Sequence, residues 1–131
     1  MADRPHLGML NLKAQGDHHR ALFVCSGGML RSATAAQYMA AVADWNTRNA
    51  GTMPSALPPI HENVVEWAET IYCMEAQHAA HVAEKFPWGA AKIKVLGIPD
   101  QFTYRHPELI TLLDTIFAKE IKEATNVPTR R

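Results

Sequence analysis

Cysteine and arginine frame the run Cys25-Ser26-Gly27-Gly28-Met29-Leu30-Arg31-Ser32, with five residues between them. Two of the five are glycine. A turn of this composition can wrap its backbone N–H groups around one tetrahedral anion, because glycine accepts positive φ where the wrap requires it. A helix starting at Arg31 would add the partial positive charge of its N-terminus at the same place. Arg31 itself offers a planar fork that grips two oxygens, where a lysine would be only a point charge. The same fields favour the thiolate of Cys25, a nucleophile that then needs no histidine base. Ser32 follows the arginine and could donate a hydrogen bond to that thiolate. The plainer reading makes Cys25 a buried strand residue, Gly27-Gly28 a turn and Arg31 a surface residue of a helix. For the cysteine alone it would prevail. The combination of the four favours an anion site.

The surrounding pattern supplies the elements that such a site needs. Residues 20–26 form a short apolar run, the pattern of a buried parallel strand, and 32–43 are Ala-rich and free of Gly and Pro, which predicts a helix. Residues 47–52 predict a second strand closed by Gly51, and 53–60, with three prolines, a loop. A helix over 62–68, a strand over 69–74, a helix over 75–86 stopped by Pro87 and a strand over 92–98 follow. A polar loop, 99–105, leads to a last helix starting near Pro107, with Leu109, Leu112, Leu113, Ile116 and Phe117 expected on one face. Strands alternating with helices predict an α/β fold: a doubly wound, four-stranded parallel sheet with helices on both faces and the glycine-rich loop after its first strand. Ligands of such sheets bind beyond the carboxyl ends of the strands, so 25–32 and 99–104 are expected to face each other.

The chain has 131 residues, suited to one domain, with 47 % hydrophobic and 20 % charged residues. Thirteen basic residues balance thirteen acidic ones, so no net field favours nucleic acid or an anionic membrane. No apolar run has membrane-spanning length, and the polar start lacks the apolar core of a secretion signal. Residues 1–19 read as an N-terminal extension, 20–126 as the domain and 127–131 as a tail. Two cysteines, Cys25 and Cys73, suggest free thiols in a reduced cytoplasm. Cys73, inside an apolar strand, reads as core. His18-His19 and the pair His78, His81 lack a carboxylate or cysteine to complete a metal set, so no metal is expected and these histidines are expected to be solvated. Lys119, Glu120, Lys122 and Glu123 read as an exposed face of the last helix.

Residues 24–32 resemble the C-x5-R-S signature of the low-molecular-weight protein tyrosine phosphatases, and they stand near the N-terminal end, as in that family. The likeness continues in 49–52 (Asn-Ala-Gly-Thr) and in 67–75, a strand ending in Met-Glu. It extends to Ile98-Pro99-Asp100 at the position of the family's acid loop, and the order of motifs is kept over about three quarters of the chain. A short predicted tyrosine phosphatase branch is most similar over 20–117. The resemblance implies a phosphomonoester hydrolase working through a phosphocysteine on Cys25. Arg31 would clamp the phosphate, and the loop residues Ser26, Gly27, Gly28, Met29, Leu30 and Ser32 would hold it. Cleavage of a phosphate ester needs a proton donor for the leaving oxygen, and Asp100, after the last strand, is the best placed carboxyl group. The resemblance also implies that Phe102 and Tyr104 wall the leaving-group pocket. Substrates would be a phosphorylated protein or a small aryl phosphate, with no cofactor. Gly28 stands where the family has a bracing Asn, Leu30 where many members have a second cysteine, Gln101 where Pro follows the acid, and His106 where the branch has Asp. Two rivals remain: a catalytically weak phosphate-binding regulator, and an arsenate reductase, which shares the loop but relays a disulfide through further cysteines.

Overall fold

Side chains of the first strand, β1 (Arg20–Cys25), alternate between two cores: Ala21, Phe23 and Cys25 enter one, Leu22 and Val24 the other. A strand buried on both sides must be apolar on both, and its backbone polar groups must be met by neighbouring strands. β1 is accordingly central. The sheet order is β2-β1-β3-β4, all parallel, with β2 at Asn46–Gly51, β3 at Thr70–Cys73 and β4 at Ile93–Val95. This computed structural model describes residues 18–125. The expected N-terminal extension, except His18 and His19, and the tail lie outside the described residues.

Helices cover both faces of the sheet. On the Phe23 side pack α1 (Arg31–Val42), through Ala35, Ala36 and Met39, and α4 (Pro107–Ile116), through Leu109 and Leu113. On the Leu22 side pack α2 (Glu62–Trp67), through Val64 and Val65, and α3 (Ala76–Lys85), through Val82. Burying one such aliphatic or aromatic side chain is worth about 1.5–3 kcal/mol. Register places Cys25 opposite Gly51 on β2, and Val24 opposite Cys73 on β3. The ends of β1, β2 and β3 therefore converge. The doubly wound sheet is as the sequence pattern predicts.

Two elements differ from expectation. β4 ends at Val95 rather than at 98, after a 3₁₀ stretch over Pro87–Lys92. Gly97, at φ +75°, breaks the extended path, although the N–H groups of Leu96 and Ile98 still donate to Cys73 and Met74 carbonyls. The last helix is two, α4 and α5 (Ala118–Thr125), because Phe117 leaves the helical path. Its ring packs edge-on against Phe23, Trp45 and Tyr72. Ile116, expected on the apolar face, is exposed, and Glu120, expected exposed, is half-buried. Among the described residues no helix is long and apolar enough to cross a membrane.

Candidate active site

Between β1 and α1 the chain turns through residues 26–30, and every carbonyl from Cys25 to Gly28 is claimed from outside the turn. Thr52 N–H donates to Cys25 O (2.9 Å), Met53 N–H to Ser26 O (3.0 Å) and Leu57 N–H to Gly27 O (3.0 Å). Asn49 Nδ2 donates to Gly28 O at 2.6 Å. In a trans peptide the C=O and the following N–H point opposite ways. Turning the carbonyls outward therefore turns the amides of residues 26–29 inward. Gly28 N–H indeed donates to Cys25 Sγ at 3.2 Å. Such a wrap requires one glycine within it and one beside it. Gly28 has φ +75°, and a Cβ there would lie 3.0–3.1 Å from backbone atoms of Gly51, Leu57 and Pro58. Gly51 lets β2 pass so close that a Cβ would meet Ser26 O at 2.5 Å.

The first turn of α1 adds its unpaired N–H groups to this concavity. Ser32, fully buried, places Oγ 3.1 Å from Cys25 Sγ and donates to it once the cysteine is a thiolate. Arg31 is 2 % exposed, hardly the surface residue of the plainer reading. Its Nη1 donates to Glu75 Oε1 (2.9 Å) and to Ile98 O (2.8 Å), which fixes one tip of the fork. Nη2 lies 3.7 Å from Asp100 Oδ1, beyond a hydrogen bond, and remains available to an anion. The Arg31 bond, foremost, holds the Glu75 carboxyl below the usual carboxylate range, so Glu75 is charged at neutral pH. Cys25, Ser26, Gly27 and Arg31 line an open cavity of about 290 Å³, whose other walls are Met29, Leu30, Met53 and Asp100.

A residue of the opposite face completes the arrangement. His78 on α3 accepts the Glu75 backbone N–H at Nδ1 (3.0 Å) and places Nε2 2.9 Å from Ser26 Oγ. It is 1 % exposed. Burial, with the Arg31 charge next, pulls its pKa below the ordinary histidine value.

Scanned against protein-family models the sequence gives no match, and compared with the curated proteins it gives none either. Solved structures do match. YwlE arginine phosphatase from Geobacillus stearothermophilus aligns with a TM-score of 0.63 at 20% identity, covering 86% of this chain and 99% of that one. A cysteine-to-serine mutant of YwlE arginine phosphatase, with a phosphorylated active-site serine, aligns at 0.62 and 20% identity, covering 86% and 97%. The tyrosine phosphatase Wzb from Escherichia coli K30, in complex with phosphate, aligns at 0.63 and 14% identity, covering 84% and 99%. A low-molecular-weight protein tyrosine phosphatase from T. tengcongensis aligns at 0.58 and 18% identity, covering 82% and 97%. The fold is that of the low-molecular-weight protein tyrosine phosphatases.

On this low-molecular-weight phosphatase fold, several expected residues sit elsewhere than the sequence suggested. Phe102 does not wall the cavity; it is 5 % exposed and packed in the core beside Leu109 and Phe117. Tyr104 is not among the lining residues either, and its hydroxyl donates to Gln37 Oε1 on α1. Being apolar, Phe102 gains more by joining the sheet core than by facing an open cleft. The thioethers and the leucine take the place of the aromatic wall. The histidines are not simply solvated. His78 is buried, His18 reaches Asp44, and His19 reaches Glu69 and Tyr72. Among the described residues no group of three His, Cys, Asp or Glu could hold a metal ion. Cys73 is buried in the Leu22 core, and burial pushes its thiol up to about 12. The pair bracing Arg31 and Ser26 that sequence reading passed over is Glu75 and His78. A signal existed: Glu75 follows the end of β3, next to β1, at the edge where ligands bind in this fold.

Proposed function

We propose that this chain is a cysteine-dependent phosphomonoester hydrolase acting on aryl phosphates, phosphotyrosine in a protein foremost. The observation that carries the reading is the Cys25 thiol inside a turn whose carbonyls from Cys25 to Gly28 are bonded outward, with Arg31 fixed across the opening. Inward amides and a buried guanidinium supply fixed positive charge for phosphoryl oxygens, the role a metal plays elsewhere. In the first step Cys25 Sγ attacks phosphorus in line, an S–P bond forms and the P–O bond to the leaving group breaks. Asp100 gives its proton to the departing oxygen. In the second step water attacks the phosphocysteine, Asp100 takes the water's proton, and the thiolate leaves as inorganic phosphate forms. Asp100 lines the cavity, 67 % exposed and close to Arg31, a position that suits a carboxyl group meeting first the leaving oxygen and then the attacking water. The phosphorylated active-site serine that replaces a cysteine in the YwlE mutant supports covalent phosphoryl transfer to Cys25 here. The apolar lining of Met29, Leu30 and Met53 supports an aryl rather than a cationic leaving group. A catalytic thiol must stay reduced, so the reading places the protein in the cytoplasm.

The arsenate-reductase reading draws no support from Cys73, whose side chain lies in the core on the other side of the sheet from Cys25. The test is turnover of p-nitrophenyl phosphate. Wild type should hydrolyse it, and iodoacetate should inactivate the enzyme unless phosphate is present. Cys25→Ser should lose all turnover yet still bind phosphate by calorimetry. Unchanged activity in Cys25→Ser would overturn the mechanism.

A further inference from the structure

His78 has no part in the two steps above, yet its hydrogen bonds reach the loop itself. Nδ1 accepts the Glu75 N–H, and a nitrogen that accepts carries no proton. The single proton of the neutral ring therefore sits on Nε2, which donates to Ser26 Oγ at 2.9 Å. A second proton on Nδ1 would face the Glu75 N–H. Burial, with the Arg31 charge next, also keeps the ring neutral. The charged and titratable groups around the ring are Arg31 of α1, Glu75 at the start of α3 (Oε1 4.0 Å from Nε2), His81 of α3 and Asp100 after β4. With its oxygen already accepting from Nε2, Ser26 has its own hydrogen left to donate. Ser26 lines the cavity beside Cys25.

We infer that His78 is a positioning residue: it fixes the Ser26 hydroxyl so that its proton is donated to a phosphoryl oxygen held in the loop, an inference that rests on the phosphatase reading above. A free serine hydroxyl rotates among acceptors, whereas one pinned by an imidazole N–H is a donor already aimed when the anion arrives. The link crosses between the two cores, from a helix on the Leu22 side to the loop that feeds a helix on the Phe23 side. It gives the anion a side-chain donor besides the amides and Arg31.

The ring's two nitrogens can be replaced one at a time. In His78→Asn the amide oxygen takes the place of Nδ1 and keeps the Glu75 N–H bonded, while the bond to Ser26 is lost. In His78→Gln the longer amide can still donate to Ser26. Steady-state kinetics on p-nitrophenyl phosphate should show His78→Asn with kcat/KM lowered and the inhibition constant of inorganic phosphate raised about 10-fold, with His78→Gln closer to wild type. Ser26→Ala should lose about 10–100-fold, and Ser26→Ala combined with His78→Asn should lose no more than Ser26→Ala alone. The phosphate inhibition constant does not depend on how much enzyme is folded, so a merely structural role would leave it unchanged. Wild-type kinetics in His78→Asn, or additive losses in the double variant, overturn the inference and leave the phosphatase reading standing. Should His78→Asn fail to fold, wild-type phosphate affinity in Ser26→Ala overturns it. A wild type without Cys25-dependent turnover overturns both.

Discussion

Two loops meet at the opening above Cys25, and they are held in opposite ways. Residues 26–30 are gripped from behind by backbone donors from 52, 53 and 57, by the Asn49 side chain, and by the His78 ring. The segment after β4 is pinned only on either side of Asp100. Ile98 O accepts from Arg31, the Phe102 ring enters the core, and Arg105 N–H donates to Thr34 Oγ1. Asp100 itself stands out of this frame, two-thirds exposed, and Gln101 N–H reaches back only to Pro99 O. The difference matches the two tasks proposed for them. Donors that stabilise a phosphoryl group are worth most when they need not reorganise as the reaction proceeds. An acid that must later act as a base has to meet first the leaving oxygen and then the incoming water, and exposure permits that.

Arg31→Lys strikes the fixed loop hardest. Removing one preorganised donor typically costs about 10²–10³-fold, and the guanidinium offers at least two to the anion, so kcat/KM should fall about 10⁴-fold or more. A lysine ammonium cannot serve Glu75, Ile98 O and a phosphoryl group together with the same reach. Phosphate inhibition should weaken in parallel. Kinetics within 10-fold of wild type would mean that the rigid loop is not where the phosphoryl charge is met.

Asp100→Asn strikes the exposed loop, and its effect should depend on the leaving group. Tyrosine leaves as a phenol of pKa near 10 and needs the proton, so phosphotyrosine turnover should fall about 10²–10⁴-fold. p-Nitrophenol is far more acidic and should lose much less. Equal losses on both substrates would make Asp100 a structural turn residue and erase the division of labour between the loops.

The same contrast explains what the sequence made legible. The strand, the glycine turn and the helix around Cys25 are local in the chain, so residue types and spacing display them. So are the elements that follow, since β2, β3 and their helices alternate regularly. The bracing is not local. Ser26 and His78 are 52 positions apart, and Arg31 and Glu75 are 44 apart, so only the parallel pairing of β1 with β3 brings them together. Phe102 was open to two readings because an aromatic after a strand can face a cleft or a core, and the core beside Leu109 prevails. The kink at Phe117 is likewise decided by the ring cluster it completes, not by its neighbours in sequence.

The smallest expected effects test the bracing directly, with two hydrogen bonds of equal length in unequal surroundings. Asn49 Nδ2 to Gly28 O and Tyr104 Oη to Gln37 Oε1 both measure 2.6 Å. Asn49 is 7 % exposed, whereas Tyr104 is 38 % exposed. Asn49→Leu keeps roughly the side-chain volume but leaves a buried carbonyl without its donor, which should cost about 1–3 kcal/mol in a denaturant titration. Tyr104→Phe removes a hydroxyl whose partner can turn to water, and should stay within about 0.5 kcal/mol. Because Asn49 is the donor that meets the outward Gly28 O, Asn49→Leu should also weaken phosphate inhibition, and Tyr104→Phe should not. If Tyr104→Phe proved as costly as Asn49→Leu, the second loop would be as tightly held as the first. The exposure of Asp100 would then describe one turn, rather than a segment left free to meet the leaving group and then water.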